Sequence, residues 1–267
     1  MALMAAEADG LITLNHDPVT RRVLESNPNL RIVANYAVGV DNIDLKTASE
    51  LGIVVTNTPG VLTEATADLT MALILAVMRR IVEGDQEIRT TGRCEWEPLK
   101  LLGASLQGKT LGILGMGRIG SAVATRARAF GMEIAGVRRG DSLDELLATS
   151  DVVSLHVPLA RETHYLIDAN ALAKMKRGAY LINTSRGALV DENALCDALE
   201  SGQLRGAGLD VYEFEPEVNP RLLAMQNVIL LPHIGSATEE ARNAMARIAA
   251  TNVLLFLQGR EPLHRVV

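Results

Sequence analysis

A glycine-rich segment between a predicted strand and a predicted helix is the part of this sequence with the clearest chemical potential. Residues 110–120 read TLGILGMGRIG. In such a segment the first glycine permits a tight turn, the second lets the backbone approach a pyrophosphate, and the third allows close packing of helix on strand. The helix that follows presents unpaired N–H groups and its positive dipole end to phosphates. The alternative is a glycine-rich turn without a ligand. We predict a dinucleotide-binding loop comprising Gly115, Gly117, Arg118, Ile119 and Gly120.

The residues after the next predicted strand bear on which dinucleotide is bound. NAD sites usually place an acidic residue there, about 20 residues after the loop, to hydrogen-bond the ribose 2′-hydroxyl. Here the strand that ends at Val137 is followed by Arg138 and Arg139. Guanidinium groups match the oxygens of a 2′-phosphate, so we predict that NADP(H) is preferred, with NAD(H) as the second cofactor. The alternative is a solvated pair of arginines whose charge Asp141 and Asp144 neutralise.

The composition is that of a globular protein and excludes several other classes. Of the 267 residues, 48% are hydrophobic and 22% are charged, unlike disordered or collagen-like chains. Aromatic residues make up only 3% and the formal net charge is −6, so a basic, base-stacking surface is poorly supplied. We therefore predict no nucleic-acid partner.

The cysteines and the apolar stretches indicate a reducing compartment without a membrane. Cys94 and Cys196 fit neither a metal-binding spacing nor a disulfide framework. The N-terminus lacks the basic start of a secretion signal. The longest apolar stretch, residues 69–78, is well short of the roughly 20 residues that span a bilayer. We expect a cytoplasmic protein with no metal and no membrane contact.

Short apolar runs alternate with helical patterns, which is typical of α/β proteins with mostly parallel sheets. Strands are predicted at residues 11–14, 31–35, 53–56, 110–114, 134–137, 152–157, 179–183 and 228–231. Helices are predicted at residues 17–26, 118–130, 142–149, 169–175, 192–201 and 236–258, and a long one at residues 63–89. Because the long helix is apolar almost all round, we interpret it as a contact between two subunits, with burial in the core as the alternative.

Several short motifs occur in the order found in one enzyme family. Besides the glycine loop, the chain contains VGVDNID at residues 38–44, SDVVSLHVPL at 150–159, NTSRG at 183–187, GLDVYEFEP at 208–216 and LPHIGS at 231–236. With these motifs the sequence resembles the D-isomer-specific 2-hydroxyacid dehydrogenases, and most closely their glyoxylate/hydroxypyruvate reductase branch. The resemblance extends from about residue 8 to the C-terminus.

The resemblance implies three catalytic residues. His233 corresponds to the general acid that protonates the substrate carbonyl oxygen while hydride arrives from the nicotinamide. Glu215 corresponds to the carboxylate that pairs with this histidine and stabilises its protonated form, with Glu213 as its competitor in the sequence. Arg186 corresponds to the residue that binds the substrate carboxylate and polarises its carbonyl group. Taken singly, each residue also has an ordinary structural interpretation.

The same resemblance implies further contacts to substrate and cofactor. Backbone N–H groups of Val38 and Gly39 would hold the substrate carboxylate. Trp96 would reach the substrate pocket of the neighbouring subunit in a homodimer; a role as a core or domain-interface anchor is the alternative. The cofactor wall would include Pro158, Thr184, Gly235 and, at the nicotinamide end, Asp210.

The expected fold is a Rossmann-type doubly wound parallel sheet plus a smaller, discontinuous, flavodoxin-like α/β substrate domain. We place the substrate domain at residues 1–59 and 232–267 and the dinucleotide-binding domain at residues 60–231. Both are shorter than the family pattern. The first βα unit is missing, which would leave an edge or apolar surface exposed on the neighbouring strand. A helix and an outer strand are missing between Arg139 and Ser142.

These inferences predict an NAD(P)H-dependent enzyme that reduces a small 2-oxo acid, glyoxylate or hydroxypyruvate, to the D-2-hydroxy acid and that works as a homodimer. The alternatives are a phosphoglycerate or other D-2-hydroxyacid dehydrogenase and a non-catalytic dinucleotide-binding interaction protein.

Overall fold

The computed structural model describes residues 7–137 and 141–267. In chain order the elements are β1 (Gly10–Leu14), α1 (Arg21–Leu24), β2 (Ile32–Tyr36), α2 (Leu45–Glu50), β3 (Val54–Thr56), α3 (Thr63–Met78), α4 (Ile81–Thr91), β4 (Thr110–Leu114), α5 (Arg118–Ala129), β5 (Glu133–Val137), α6 (Leu143–Thr149), β6 (Val152–Leu155), α7 (Ala169–Lys174), β7 (Ala179–Asn183), a 3₁₀ turn (Gly187–Leu189), α8 (Glu192–Glu200), β8 (Leu204–Leu209), α9 (Pro220–Leu223), β9 (Val228–Leu230) and α10 (Glu239–Leu257). Each strand pairing within the two sheets is parallel, so the predicted α/β fold class is confirmed.

The first unit consists of the described residues up to Leu62 together with Ser236–Val267. Its sheet has the order β1-β2-β3, and α10 packs on β1 and β2. In the described part of the chain β1 is an edge strand, and its side chains Ile12 and Leu14 are 54% and 41% exposed.

The second unit, Thr63–Gly235, contains a six-stranded sheet with the order β5-β4-β6-β7-β8-β9. Strand β5 lies on one side of β4, and β6 and the strands that follow it lie on the opposite side. This arrangement creates a topological switch point between β4 and β6. Apolar side chains alternate between the two faces: Leu111 and Ile113 join a cluster with α3 and α5, whereas Leu114 joins one with α6, α7 and α8.

The structural boundary between the units lies a few residues after the predicted one. We predicted divisions after residues 59 and 231, whereas the second unit runs from Thr63 to Gly235. The residues after the last strand stay with this unit because the backbone N–H groups of Ile234 and Gly235 both donate to the carboxylate of Asp210 at 2.7 Å.

The single long helix predicted at residues 63–89 is wrong, because the structure has two helices there, α3 and α4. The chain turns at Arg80, whose φ of 53° is left-handed. The carbonyl oxygen of Met78 accepts a hydrogen bond from the N–H of Ala104 at 2.8 Å instead of continuing the helix. Half-buried and buried apolar side chains of α3 pack on α5 and β8, so burial within one chain accounts for its apolar character.

Sequence reasoning missed β8, α2 and α9 and overestimated the helix predicted at residues 17–26, of which only Arg21–Leu24 is helical. Strand β8 was missed because it contains Gly206 and Gly208, which weaken a strand signal. Gly206 is required by packing, because a Cβ there would lie 2.7 Å from the carbonyl oxygen of Asn227. A Cβ on Gly208 would make a tight contact of 3.2 Å with Leu73 of α3.

Candidate active site

The predicted site residues of the second unit follow the carboxyl ends of its parallel strands. Gly115 follows β4, Thr184 and Arg186 follow β7, Asp210 follows β8, and His233 lies three residues after the end of β9. Because the strands are parallel, these ends meet at one edge of the sheet, where ligands of doubly wound folds bind. Topology therefore brings together residues that are far apart in the sequence.

The glycine loop after β4 has the geometry that a dinucleotide requires. Gly115 has a φ of 98°, and a Cβ on Gly120 would lie 2.1 Å from the Gly115 carbonyl oxygen, so α5 can approach β4 only with glycine there. A Cβ on Gly117, in contrast, would have open space around it. Gly117 caps α5 without a side-chain hydrogen bond, which leaves the helix N-terminus for an anion. Arg118 and Gly117 are exposed and Ile119 is half-buried.

Several predicted cofactor-wall residues have structural contacts of their own. The hydroxyl of Thr184 lies 3.0 Å from that of Thr70 on α3. The carbonyl of Gly235 accepts a hydrogen bond from Thr66 at 3.1 Å. Pro158 lies in the loop after β6. Arg138 and Arg139 lie outside the described residues.

His233 and Glu215 form a hydrogen-bonded pair. The Nδ1 atom of His233 lies 2.9 Å from Oε2 of Glu215, while Oε1 of Glu215 accepts the backbone N–H of Tyr212 at 3.0 Å. Burial raises the pKa of Glu215, but the hydrogen bond and charge of His233, the Tyr212 N–H and the charge of Arg186 outweigh it, so the pKa is lowered. An ionised Glu215 only accepts hydrogen bonds, so Nδ1 carries a proton towards it and Nε2 is the nitrogen that can exchange a proton with a substrate.

Asp210 holds the backbone on the C-terminal side of His233. It is fully buried, and its two carboxylate oxygens accept the N–H groups of Ile234 and Gly235. His233 itself has a left-handed φ of 54°, a conformation that a non-glycine residue adopts at a cost. Burial raises the pKa of Asp210 against the lowering effect of these two N–H groups and of His233. Asp210, predicted to lie beside the cofactor, thus also fixes the backbone next to the candidate acid, His233.

Arg186 lies on the loop after β7, and this loop contacts the loop of Glu215. Its backbone is fixed by Asn183, whose side chain donates to the Arg186 carbonyl at 2.8 Å. A Cβ on Gly187 would lie 1.8 Å from the carbonyl carbon of Tyr212, so the two loops touch through their backbones. The charge of Arg186 acts on Glu215. The site therefore combines a guanidinium group with the imidazole–carboxylate pair.

A second set of polar groups around Glu213 was missed by sequence reasoning. Glu213 accepts a hydrogen bond from the hydroxyl of Tyr165, and this bond raises the pKa of Tyr165 to about 12. The backbone N–H of Glu213 donates at 2.8 Å to the buried carboxylate of Glu192, the first residue of α8. Glu215, not Glu213, contacts His233. The one sequence feature that indicated these polar groups was the occurrence of two acidic residues, Glu213 and Glu215, two positions apart.

Val38 and Gly39 belong to the first unit, in the loop after β2. The Val38 carbonyl accepts a hydrogen bond from Asn57, and the Gly39 carbonyl accepts one from Asn35, both at 2.8 Å. Among the described residues no acceptor receives the backbone N–H of Val38 or Gly39. The Gly39 N–H shares its peptide plane with the Val38 carbonyl, and the Val38 N–H shares its plane with the Ala37 carbonyl, which accepts the Thr58 N–H at 2.9 Å. Both N–H groups are thus held in direction and able to donate to a ligand.

Trp96 is not a core residue. Its side chain is 85% exposed in the segment between α4 and β4. The alternative of Trp96 as a core anchor is therefore wrong, because neither apolar cluster of the second unit contains it.

Metal-binding and membrane-spanning features are absent from the residues that the structure describes. No group of three or more His, Cys, Asp or Glu side chains is placed to hold a metal ion in residues 7–137 and 141–267. Over the same two ranges no helix is long and apolar enough to cross a bilayer.

His156 follows β6 and has a structural contact of its own. Burial lowers its pKa to about 4, so it is a neutral imidazole, and its Nε2 atom is hydrogen-bonded to the hydroxyl of Ser154 at 2.9 Å.

Comparison with known proteins agrees with this geometry. The family model described as "D-isomer specific 2-hydroxyacid dehydrogenase, NAD binding domain" matches residues 71–235. The glyoxylate reductase of Thermococcus litoralis is 52% identical over 273 residues, covering 96% of this chain and 82% of that protein. The chain belongs to the D-isomer-specific 2-hydroxyacid dehydrogenase family. It is an oxidoreductase whose cofactor is a nicotinamide dinucleotide, and the enzymes of this family act on small molecules.

Solved structures of family members have the same fold. A protein of Thermus thermophilus superposes with a TM-score of 0.94 at 50% identity and covers 100% of this chain and 88% of its own. An NADPH-dependent glyoxylate/hydroxypyruvate reductase of Sinorhizobium meliloti, in complex with NADP and malonate, has a TM-score of 0.89 at 36% identity, with 99% and 85% covered. The Rossmann-type fold predicted from the sequence is confirmed.

Proposed function

We propose that this protein reduces glyoxylate and hydroxypyruvate to the corresponding 2-hydroxy acids, with NADPH preferred over NADH. The observation that carries the proposal is the pair of His233 and Glu215, 2.9 Å apart and under the charge of Arg186, at the carboxyl edge of a dinucleotide-binding sheet. The glyoxylate reductases among the relatives support the substrate class.

A nicotinamide dinucleotide held by the glycine loop would, when bound, supply the hydride that reduces the substrate carbonyl. His233 donates a proton from Nε2 to the carbonyl oxygen, since Nδ1 is directed to Glu215. Glu215 stabilises the protonated imidazole before the transfer and keeps its orientation afterwards. Arg186 binds the substrate carboxylate and polarises the carbonyl group, and the N–H groups of Val38 and Gly39 in the first unit are further donors for a carboxylate.

The cofactor is held by the glycine loop and, at its adenosine end, by arginines. The open space at Gly117 and the N-terminus of α5 suit a pyrophosphate. We assign the 2′-phosphate to Arg138 and Arg139 because the chain has no carboxylate directly after β5. Pro158, Thr184 and Gly235 complete the wall.

The test of the proton donor is the variant His233→Ala, assayed with NADPH and NADH against glyoxylate, hydroxypyruvate and pyruvate. We expect kcat to fall by about 10²- to 10⁴-fold, the usual contribution of a general acid, while the cofactor Kd stays near that of the unchanged protein. His16→Ala, in the first unit, is the matched control and should keep full activity. Unchanged turnover of His233→Ala would refute the assigned acid. Unchanged protein that binds NADPH but reduces none of the three acids would favour the alternative of another D-2-hydroxyacid dehydrogenase.

The test of the cofactor preference is Arg138→Asp. A carboxylate there repels the 2′-phosphate and suits the ribose hydroxyl, so the ratio of kcat/KM for NADPH to that for NADH should fall by roughly tenfold or more. Arg177→Asp makes the same charge change in the exposed turn before β7 and should leave the ratio as it is. An equal ratio in both variants would show that Arg138 does not contact the cofactor.

A further inference from the structure

The second unit contains a cavity at the edge of its sheet opposite the candidate active site. The cavity has a volume of about 350 Å³. Tyr180 and Arg205, each the second residue of its strand, line it together with Asn227, which directly precedes β9. These positions mark the amino edge of the sheet, whereas the catalytic residues proposed above follow the carboxyl ends. The cavity is therefore a separate site within the same unit.

Two arginines reach this cavity from irregular backbone positions. Arg80 stands at the left-handed turn between α3 and α4, and its guanidinium group donates to Glu83, with Nε 3.0 Å from the carboxylate. Arg205 is the extra residue of a bulge in β8, because Ala179 pairs with Leu204 and Tyr180 already pairs with Gly206. Bulges re-aim side chains and are frequent at functional sites.

Arg205 has no carboxylate partner within ion-pair distance in the ranges that the structure describes. Its Nη2 atom donates to the carbonyl oxygen of Leu102 at 3.0 Å, which fixes the guanidinium plane and leaves further N–H groups to donate. Glu83 neutralises Arg80, so the charged groups of the lining, Arg80, Arg205 and Glu83, leave one positive charge in excess. One negative charge would balance the cavity.

Tyr180 is the second observation that indicates a ligand. Its side chain lines the cavity although the residue is only 4% exposed, and its hydroxyl has no hydrogen-bond partner among the described residues. Burial raises the pKa of Tyr180, while the charges of Arg205 and Arg80 oppose this rise, so the phenol is a protonated donor at neutral pH beside both guanidinium groups. The hydroxyl of this largely buried side chain is therefore accessible from the cavity and available to a bound molecule.

We propose that the cavity binds a small organic monocarboxylate. The carboxylate accepts two hydrogen bonds from the planar guanidinium group of Arg205 and one from the hydroxyl of Tyr180. The body of the ligand packs against Val77 and the ring of Tyr180, and the side-chain amide of Gln226 is placed at the rim. Because Glu83 already occupies Arg80, a single negative charge fits this site better than a phosphate dianion.

The probe for this site is 4-fluorobenzoate, followed by ¹⁹F NMR line broadening on the full chain in an Arg186→Gln background, which removes the arginine of the candidate active site. Arg205→Gln and Tyr180→Phe should each weaken binding by about tenfold, as expected for the loss of a hydrogen bond to a charged group. Glu83→Gln should strengthen it several-fold because it removes the negative charge from the lining. Residual binding elsewhere would be the same in all variants, so the result does not depend on the proposed function.

Three controls make the test decisive. Arg177→Gln removes an equivalent exposed charge from the turn before β7 and should leave the affinity unchanged. The uncharged analogue 4-fluorobenzamide should not bind, and inorganic phosphate should compete only weakly. Equal affinity in the parent, Arg205→Gln and Tyr180→Phe proteins would overturn the site. Binding of the amide, or strong competition by phosphate, would overturn the monocarboxylate as its ligand. Tyr180→Phe keeps the ring, so its result stands even if Arg205→Gln fails to fold.

Discussion

At the scale of single residues, buried carboxylates order the loop that carries the candidate acid pair. Glu192 is 4% exposed and accepts the backbone N–H of Glu213 at 2.8 Å, two residues before Glu215. Burial raises the pKa of Glu192, an effect that the Glu213 N–H partly offsets and that the charges of Glu213 and Glu215 increase. The charged form of Glu192 is therefore less favourable in the folded protein than in the unfolded chain.

This difference predicts the pH dependence of the Glu192→Gln variant. A carboxyl group with a raised pKa binds its proton more tightly when folded, so its stabilising contribution is complete below the unfolded value of 4.5 and is lost as the pH rises through the folded value. A glutamine side chain still accepts the backbone N–H of Glu213, but it cannot ionise, so it does not lose this stabilising contribution as the pH rises. Relative to the unchanged protein, the unfolding free energy of Glu192→Gln should thus increase as the pH rises from 4.5 towards neutrality, as measured by urea denaturation.

The control for this experiment is Glu162→Gln, which changes an exposed carboxylate in the same unit. It gives the effect of losing one exposed negative charge, against which the pH dependence of Glu192→Gln is compared. If Glu192→Gln behaves as Glu162→Gln does, the buried carboxylate does not titrate differently in the folded state.

At the scale of elements, the loop between β4 and α5 separates two uses of glycine. Gly120 is required by packing, because any Cβ there meets the Gly115 carbonyl oxygen. Gly117 is not required by packing within the described chain, since a Cβ there contacts nothing beyond its neighbours and φ is −81°. We propose that its lack of a side chain allows the close approach of a pyrophosphate.

The two glycines therefore predict opposite results for the same substitution. Gly117→Ala should leave the melting temperature nearly unchanged but weaken cofactor binding by roughly tenfold or more, because the methyl group occupies the space of the pyrophosphate. Gly120→Ala should lower the melting temperature as well, since α5 must move away from β4. The measurements are thermal unfolding and titration with NADPH. Normal cofactor affinity in Gly117→Ala would contradict the assignment of the loop.

At the scale of the whole molecule, exposed apolar side chains concentrate in one region of the second unit. Ile81, Val82 and Ile88 of α4 are exposed, although α3 directly before it is largely buried. Trp96, Leu99 and Leu102 of the following segment are exposed as well. Clusters of this kind mark contacts with another protein. We propose that they, rather than a single helix over residues 63–89, form the homodimer contact expected from the sequence.

This proposal predicts that Ile88→Lys shifts the protein from dimer to monomer in sedimentation velocity experiments, because a lysine ammonium would have to be desolvated in the contact. Ile12→Lys is the matched control: Ile12 and Ile88 are 54% and 50% exposed, but Ile12 lies on β1 of the first unit. A monomeric unchanged protein, or an equal effect of both substitutions, would exclude α4 as the contact.

The sequence by itself determined the features that depend on local order. The alternation of strand and helix and the glycine loop after β4 are legible along the chain, because periodicity and turn residues act over a few neighbouring positions. The catalytic candidates were identified by the resemblance of their motifs to a known family. Prediction from local patterns failed where packing between elements determines the structure. It treated α3 and α4 as one helix, and it missed β8, whose glycines pack closely against Leu73 and Asn227.

Only the tertiary structure decided which distant groups meet. The 2.9 Å contact of Glu215 with His233, the hydrogen bonds of Asp210 to residues 234 and 235, and the cavity of Arg80, Tyr180 and Arg205 each bring together residues far apart in the sequence. The physical reason is that parallel strands place their carboxyl ends at one edge and their amino ends at the other, so the register and order of the sheet select the neighbours. A hydrogen bond or a shared cavity between such residues leaves no periodic signal in the sequence.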